Sequence, residues 1–263
     1  MTIQAKVATI LKSRNAPAEQ LAPSEKINIH KGQVLQVGKI TPAPHQHLAL
    51  DLINSDFERG FVYAPHWDYQ PKTVTLPASY YYQTDNPSGY GYRECCATST
   101  AIMLNYLLNG KLDATAAKKS IAQPESIYLD VLKNYGDTTD HSANTEALKE
   151  FGIESYWSTS LTFDDYYLSI RNSIPLVMGL DYKGPDHGHI VCGVGFQLRD
   201  KVIVHDPYGA REGTTDYWLS NLPEAGKFDE YAIGSMTKLW LIGGVGWGRV
   251  VTRIDGHPTV FAR

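Results

Sequence analysis

The chain has 263 residues, a hydrophobic share of 43% and a net charge of −4 from 24 basic and 28 acidic side chains. That length buries a substantial core, and the near balance of charge gives no electrostatic reason to expect nucleic acid or an anionic membrane surface as a partner. No stretch approaches the roughly eighteen apolar residues of a membrane helix, and 3 cysteines with no Cys-x-x-Cys pair make neither a disulfide framework nor a structural zinc site.

Residues 1–72 read as a separate small β domain. Residues 6–11, 26–30, 34–37, 47–52 and 61–63 are short β-like runs, broken by Asn15-Ala16-Pro17, Lys31-Gly32, Pro42-Ala43-Pro44 and Arg59-Gly60. Short strands at that spacing predict a small barrel or sandwich. The first twelve residues carry no apolar run long enough for a secretory signal. Synthesis in the cytoplasm is therefore expected, with release by lysis or carriage in a particle as the route outward.

The connection passes through Pro71-Lys72, and residues 73–76 open the second part. Residues 80–92, Tyr-Tyr-Tyr-Gln-Thr-Asp-Asn-Pro-Ser-Gly-Tyr-Gly-Tyr, cannot form one continuous helix because Gly and Pro interrupt it. A helix follows them. Ala97, Ala101, Leu104 and Leu108 recur at three- and four-residue steps, Met103, Tyr106 and Leu107 widen the stripe, and Gly110 is the natural stop. Cys95 thus falls at a helix N-terminus, where the dipole and the unpaired backbone N–H groups favour an anion. Cys96 is rotated from it by about 100°, so only one of the two sulfurs faces a given partner. Helices are also expected over residues 113–120, over 126–134 with Ser126 as a cap, and over 141–152 with Gly152 at the end. The polar run Ser158-Thr159-Ser160 and residues 163–172 come next.

Residues 174–180 enter a sheet. Gly188-His189-Ile190-Val191-Cys192-Gly193-Val194-Gly195-Phe196 reads as a buried strand led by a histidine, and residues 201–209 read as its returning partner, with Asp206 just before a Pro-Tyr-Gly turn. Adjacent strands of this kind hold His189 and Asp206 side by side, the carboxylate fixing the tautomer of the imidazole. Each residue also has a plainer reading: Cys95 as a small buried hydrophobe, His189 as a core histidine, Asp206 as the start of an Asp-Pro turn. His187-Gly188-His189 has a spacing that zinc peptidases use, but there is no His-Glu-x-x-His and no third-ligand motif. Asp186 and His187 read as a loop at a cleft. Cys192, three residues along the strand from His189, falls on the opposite face and reads as inert core. Residues 218–222 and 236–251 bring aromatics and Gly suited to closing the β-rich lobe.

Gln83, a nucleophile-like Cys followed by Thr-Ser-x-Ala, the Gly-His that leads a Val-rich strand ending in Gly-Phe, and Val-His-Asp-Pro-Tyr-Gly together resemble the papain-like cysteine peptidases related to the double-glycine leader peptidases of bacteriocin transporters. The resemblance spans roughly residues 80–251. It implies an α+β fold, a helical lobe plus an antiparallel β lobe over residues 73–263. It also implies Cys95 as nucleophile, His189 as general base and acid, Asp206 as the group that orients the histidine, and Gln83 as oxyanion donor, with neither cofactor nor metal. Its register, with Thr-Ser three and four residues after the nucleophile, selects Cys95 over Cys96. Cys96 stands where many relatives have Gly, and Ile190 where an aromatic often follows the His. Residues 1–72 resemble the SH3-like modules joined to cell-wall hydrolases, down to a Gly-Phe-Val-Tyr ending like their Gly-Trp-Val.

The expected activity is amide hydrolysis through a thioester. The expected substrate is a peptide, specifically a stem or cross-link peptide of peptidoglycan cut by a bacterial or phage lysin whose N-terminal domain binds cell wall or a particle component. A protein-directed thiol protease and a non-catalytic phage structural or cell-wall-binding protein are the alternatives. Amide transfer uses the same triad.

Overall fold

The structure, a computed structural model, describes residues 2–53, 55, 57–68, 73–181, 188–211, 218–220 and 222–262. It divides into two compact units, one of residues 1–74 with 171–173, the other of residues 75–170 with 174–263.

The first unit is an antiparallel sheet of β1 (Thr2–Ala5), β2 (Thr9–Lys12), β3 (Lys26–Ile29), β4 (Val34–Ala43), β5 (His47–Leu52), β6 (Arg59–Tyr63) and β7 (Trp67–Asp68), in the order β3-β2-β6-β5-β4-β1-β7. Period-two alternation sends Leu48 and Leu50 of β5, Val62 of β6 and Leu11 of β2 into one apolar cluster with Ile3, Ile29, Val37 and Trp67. Each such side chain stabilises the fold by about 1.5–3 kcal/mol relative to an exposed one. Of the expected strand over residues 6–11 only residues 9–11 are strand, within β2, and β1 ends at Ala5 before that run begins. Between them Lys6 N–H donates to the His66 carbonyl at 2.8 Å, and Gly32 N–H donates to the Ala5 carbonyl at 2.7 Å, so the chain bends where it changes neighbours.

The chain passes from the first unit to the second within β8 (Thr73–Thr75), and the second unit then builds its helices: α1 (Cys95–Leu107), α2 (Lys111–Lys119), α3 (Ser126–Leu132) and α4 (His141–Lys149). After these come β9 (Ile153–Leu161), α5 (Phe163–Arg171), β10 (Leu176–Asp181), β11 (Gly188–Gln197) and β12 (Lys201–His205). The chain continues through β13 (Ala210–Arg211), β14 (Trp218–Ser220), β15 (Asp229–Ala232), α6 (Ile233–Leu239), β16 (Gly246–Ile254) and β17 (His257–Pro258). The main sheet runs β15-β12-β11-β10-β16-β17, and β9 also pairs with β16. Its pairings are antiparallel, as β10–β11 and β11–β12 show by the registers Leu180↔His189 and Cys192↔His205. Helix α1 lies against β11 and β10. It is buried from Cys96 to Asn105, so the stripe read from sequence is only part of a helix covered on all sides.

One local expectation changes. Ser126 is the first residue inside α3 and donates from Oγ to the Gln123 carbonyl at 2.7 Å, rather than capping the helix. The polar run Ser158-Thr159-Ser160 lies inside β9, held there by its ladder to β16. The stretch 236–251 begins in α6, which ends at Leu239, and β16 starts at Gly246. Among the described residues no helix is long and apolar enough to cross a membrane.

Candidate active site

Cys95 is the first residue of α1, partly exposed, with Glu94 as the N-cap. The first turn of a helix has backbone N–H groups without intrahelical partners, so the sulfur sits beside donors and the positive end of the dipole. The loop before the helix is tied to it. The Asn86 amide donates to Glu94 Oε2 at 2.7 Å and to Thr98 Oγ1 at 3.1 Å. Gln83 is buried in a short 3-10 turn, its backbone N–H donating to the Pro207 carbonyl at 2.9 Å and its Nε2 to the Gly91 carbonyl at 2.6 Å. Gly91 has to be glycine: a Cβ there would collide with the Gln83 carbonyl oxygen and lie 2.8 Å from the Thr84 Cα. Gln83 Oε1 is buried with no hydrogen-bond partner among the described residues, a cost native proteins tend to carry where a group has work other than stability.

His189 is the second residue of β11 and is buried, and Asp206 follows the end of β12 and is fully buried. His189 Nε2 donates to Asp206 Oδ1 at 2.7 Å. That leaves Nδ1 for the other partner of the ring, the Cys95 side chain, which hydrogen-bonds the imidazole. Burial opposes a charge on this ring, but the charge and hydrogen bond of Asp206, together with Cys95, outweigh it and push His189 up to about 10.

Asp206 is itself held at every side. Oδ1 also accepts from Tyr208 N–H at 2.9 Å, Oδ2 accepts from the Tyr231 hydroxyl at 2.7 Å, and the backbone carbonyl accepts from the Tyr80 hydroxyl at 2.9 Å. Its backbone N–H donates to Gly226 O at 2.9 Å, an approach so close that a Cβ on residue 226 would strike the Asp206 carbonyl oxygen. Tyr231, on β15, escaped the sequence reading. It is one of many tyrosines in the chain, and only the β12–β15 pairing, register Val202↔Tyr231, brings it under the carboxylate.

The other cysteines lie elsewhere. Cys96 is buried with Sγ 3.6 Å from His141 Nδ1, and burial pushes its thiol up to about 12. Cys192 is wholly buried, and burial raises its thiol as well. Asp186 and His187 lie outside the described residues. Among the described residues no group of three or more His, Cys, Asp and Glu side chains is arranged to hold a metal ion.

His205, next to Asp206, is neutral by construction. Its Nε2 donates to the Ala78 carbonyl at 3.0 Å and its Nδ1 accepts from Phe228 N–H at 3.0 Å. Burial holds it down at about 4. An unfolded histidine titrates near 6.5, so between those values the unfolded chain binds the extra proton and stability falls as the pH drops. His189 does not offset this, because its raised value changes stability only between about 6.5 and 10. The melting temperature is therefore expected to fall from pH 7 to pH 4.5, and His205→Gln to reduce that fall. An equal fall in both proteins contradicts the assignment.

A family model described as the Peptidase_C39 like family matches residues 75–232. Neither the curated proteins nor the solved structures compared with the chain give a match. The matched span runs from the loop that carries Gln83 through α1 and β11 to the last residue of β15. It includes every residue described above around Cys95, His189 and Asp206, and the chain belongs to the Peptidase_C39 like family of cysteine peptidases.

Proposed function

We propose that the chain hydrolyses peptide bonds by acyl transfer to the sulfur of Cys95. The sulfur attacks the carbonyl carbon, and the C=O electron pair moves onto oxygen. That oxyanion accepts from the Cys95 backbone N–H and from the second N–H of Gln83, whose first is occupied by the Gly91 carbonyl. The C–N bond breaks as His189 gives its proton to the departing amine, leaving a thioester. His189 then takes a proton from the water that attacks this thioester, and breaking of the C–S bond releases the acid. The observation that carries the reading is the engagement of one imidazole from both sides, by Asp206 at Nε2 and by Cys95. With His189 pushed up to about 10, the ring holds its proton at neutral pH and the acid needed by the leaving amine is already charged.

The substrate class we infer is the stem or cross-link peptide of peptidoglycan, with residues 1–72 as an SH3-like module that holds the chain on cell wall or in a phage particle. The strand pattern of residues 1–72 and its Gly-Phe-Val-Tyr ending support this. Incubation with purified cell wall is expected to release fragments with new amino termini. Cleavage of denatured protein with cell wall left intact would mark a protein-directed thiol protease, and solubilised wall without new amino termini would count against peptide cleavage.

A further inference from the structure

In the first unit, alternation along β2 sends Leu11 into the core and therefore Lys12 to the other face of the sheet, where a lysine ordinarily reaches water. Here it does not: Lys12 is only 7% exposed. The segment after β2 folds across it, so that Nζ donates to the Ala16 carbonyl at 2.8 Å and to His47 Nε2 at 2.7 Å. His47 accepts this bond as a neutral ring, since its Nδ1 donates to the His45 carbonyl at 2.8 Å. Both partners of the ammonium are thus uncharged, and among the described residues no carboxylate stands at ion-pair distance from it. An ammonium has three donors, and these two bonds use two of them.

Beside Lys12 opens a cavity of about 650 Å³, within the size range of small-molecule sites. Ile10, Ala18 and the Tyr63 ring give it apolar walls, and its polar groups include Lys12, Asn28 and His66. His66 is fixed by a 2.8 Å bond between its Nδ1 and Thr9 Oγ1 and by an edge contact with Tyr63 at 4.9 Å. None of the lining residues is acidic. Glu19 attracts the ammonium only from beyond ion-pair distance, and apolar walls around one buried cation with no carboxylate paired to it match a ligand that brings a single negative charge on a small apolar body. A phosphate dianion fits less well, because its second charge would be left among those walls.

We propose that this cavity binds an organic carboxylate of about dipeptide size, its carboxylate accepting the remaining N–H of Lys12 and its apolar part lying between Ile10, Ala18 and Tyr63. The site is separate from the proposed chemistry at Cys95, and its success or failure leaves that chemistry untouched.

The test is calorimetric titration of the full chain with N-acetyl-alanyl-alanine, with the same compound as its C-terminal amide, and with inorganic phosphate. Saturable binding of the free acid is expected, with the amide and phosphate at least about tenfold weaker, the size of effect one charge-assisted hydrogen bond gives. Ala18→Trp, which fills the cavity while leaving both partners of Lys12 in place, is expected to abolish binding and to leave peptide hydrolysis unchanged. Lys12→Met is expected to abolish binding too, and should it fail to fold, Ala18→Trp decides alone. Equal binding of acid and amide, phosphate bound as tightly as the acid, retained binding in folded Ala18→Trp, or no saturable binding of the acid by the wild-type chain overturns the proposal.

Discussion

Cys95→Ala is expected to lower kcat for peptide hydrolysis by about 10⁴-fold or more, the scale on which a nucleophile and its partners act as a unit, with the melting temperature little changed. Cys96→Ser is expected to keep kcat within a few-fold and to cost stability instead, about 1 kcal/mol, as a change at a buried site does. The reason is the geometry of the helix start. Cys95 is partly exposed and bonded to His189, whereas Cys96 points into the protein toward His141, which stacks on Trp157 at 3.6 Å. Adjacent residues on a helix diverge by about 100°, and each sulfur has its own imidazole. Only His189 has a carboxylate hydrogen-bonded to it; His141 is held down at about 4 by burial and by the Arg249 charge. Hydrolysis that survives in full in Cys95→Ala, or is lost in Cys96→Ser, would reverse the assignment.

The second large effect is expected at Asp206, and two substitutions separate charge from geometry. In Asp206→Asn, the amide oxygen can keep accepting from His189 Nε2 and Tyr208 N–H, while the amide nitrogen faces the Tyr231 oxygen, which can accept. The tautomer of the imidazole is therefore preserved and only the negative charge is lost. With the charge gone, burial, which already opposes protonation of His189, is no longer outweighed, and the ring falls from about 10 toward or below its ordinary value. The alkaline limb of the kcat/KM profile is expected near pH 10 in the wild type and several units lower in Asp206→Asn, with kcat at neutral pH reduced about 10- to 100-fold, the range general acid–base catalysis supplies at its lower end. Asp206→Ala removes the acceptor for three buried donors at once and is expected to lose more activity and at least about 3 kcal/mol of stability. An alkaline limb that does not move in Asp206→Asn would mean that something other than this carboxylate raises His189.

How much of this was legible in the sequence depends on how far apart the cooperating residues are. The signal for Cys95 is local: a Gly- and Pro-broken loop followed by a helical stripe marks a helix start. His189 and Asp206 are joined by a hairpin, whose two β-like runs and Asp-Pro turn are visible in about twenty consecutive positions. Tyr231 and Gly226 could not be found this way. Nothing near Tyr231 says that β15 lies beside β12, and Gly226 is required only because the Asp206 carbonyl comes so close. The same holds for β9. Its polar Ser158-Thr159-Ser160 has no strand signature of its own and becomes a strand because β16, more than eighty residues on, supplies its hydrogen bonds. In the first unit, burial of Lys12 runs against its sequence character, and the segment that folds over it carries no periodic pattern from which that cover is readable.

The most direct measurement of the central claim is mass-mapped alkylation of the folded chain with iodoacetamide at pH 6.5. Rapid incorporation of one equivalent on Cys95, with Cys96 and Cys192 unmodified, and a large drop in that rate in His189→Ala are the results the account predicts. Modification of Cys95 no faster than that of a free thiol, and indifferent to His189→Ala, would contradict it.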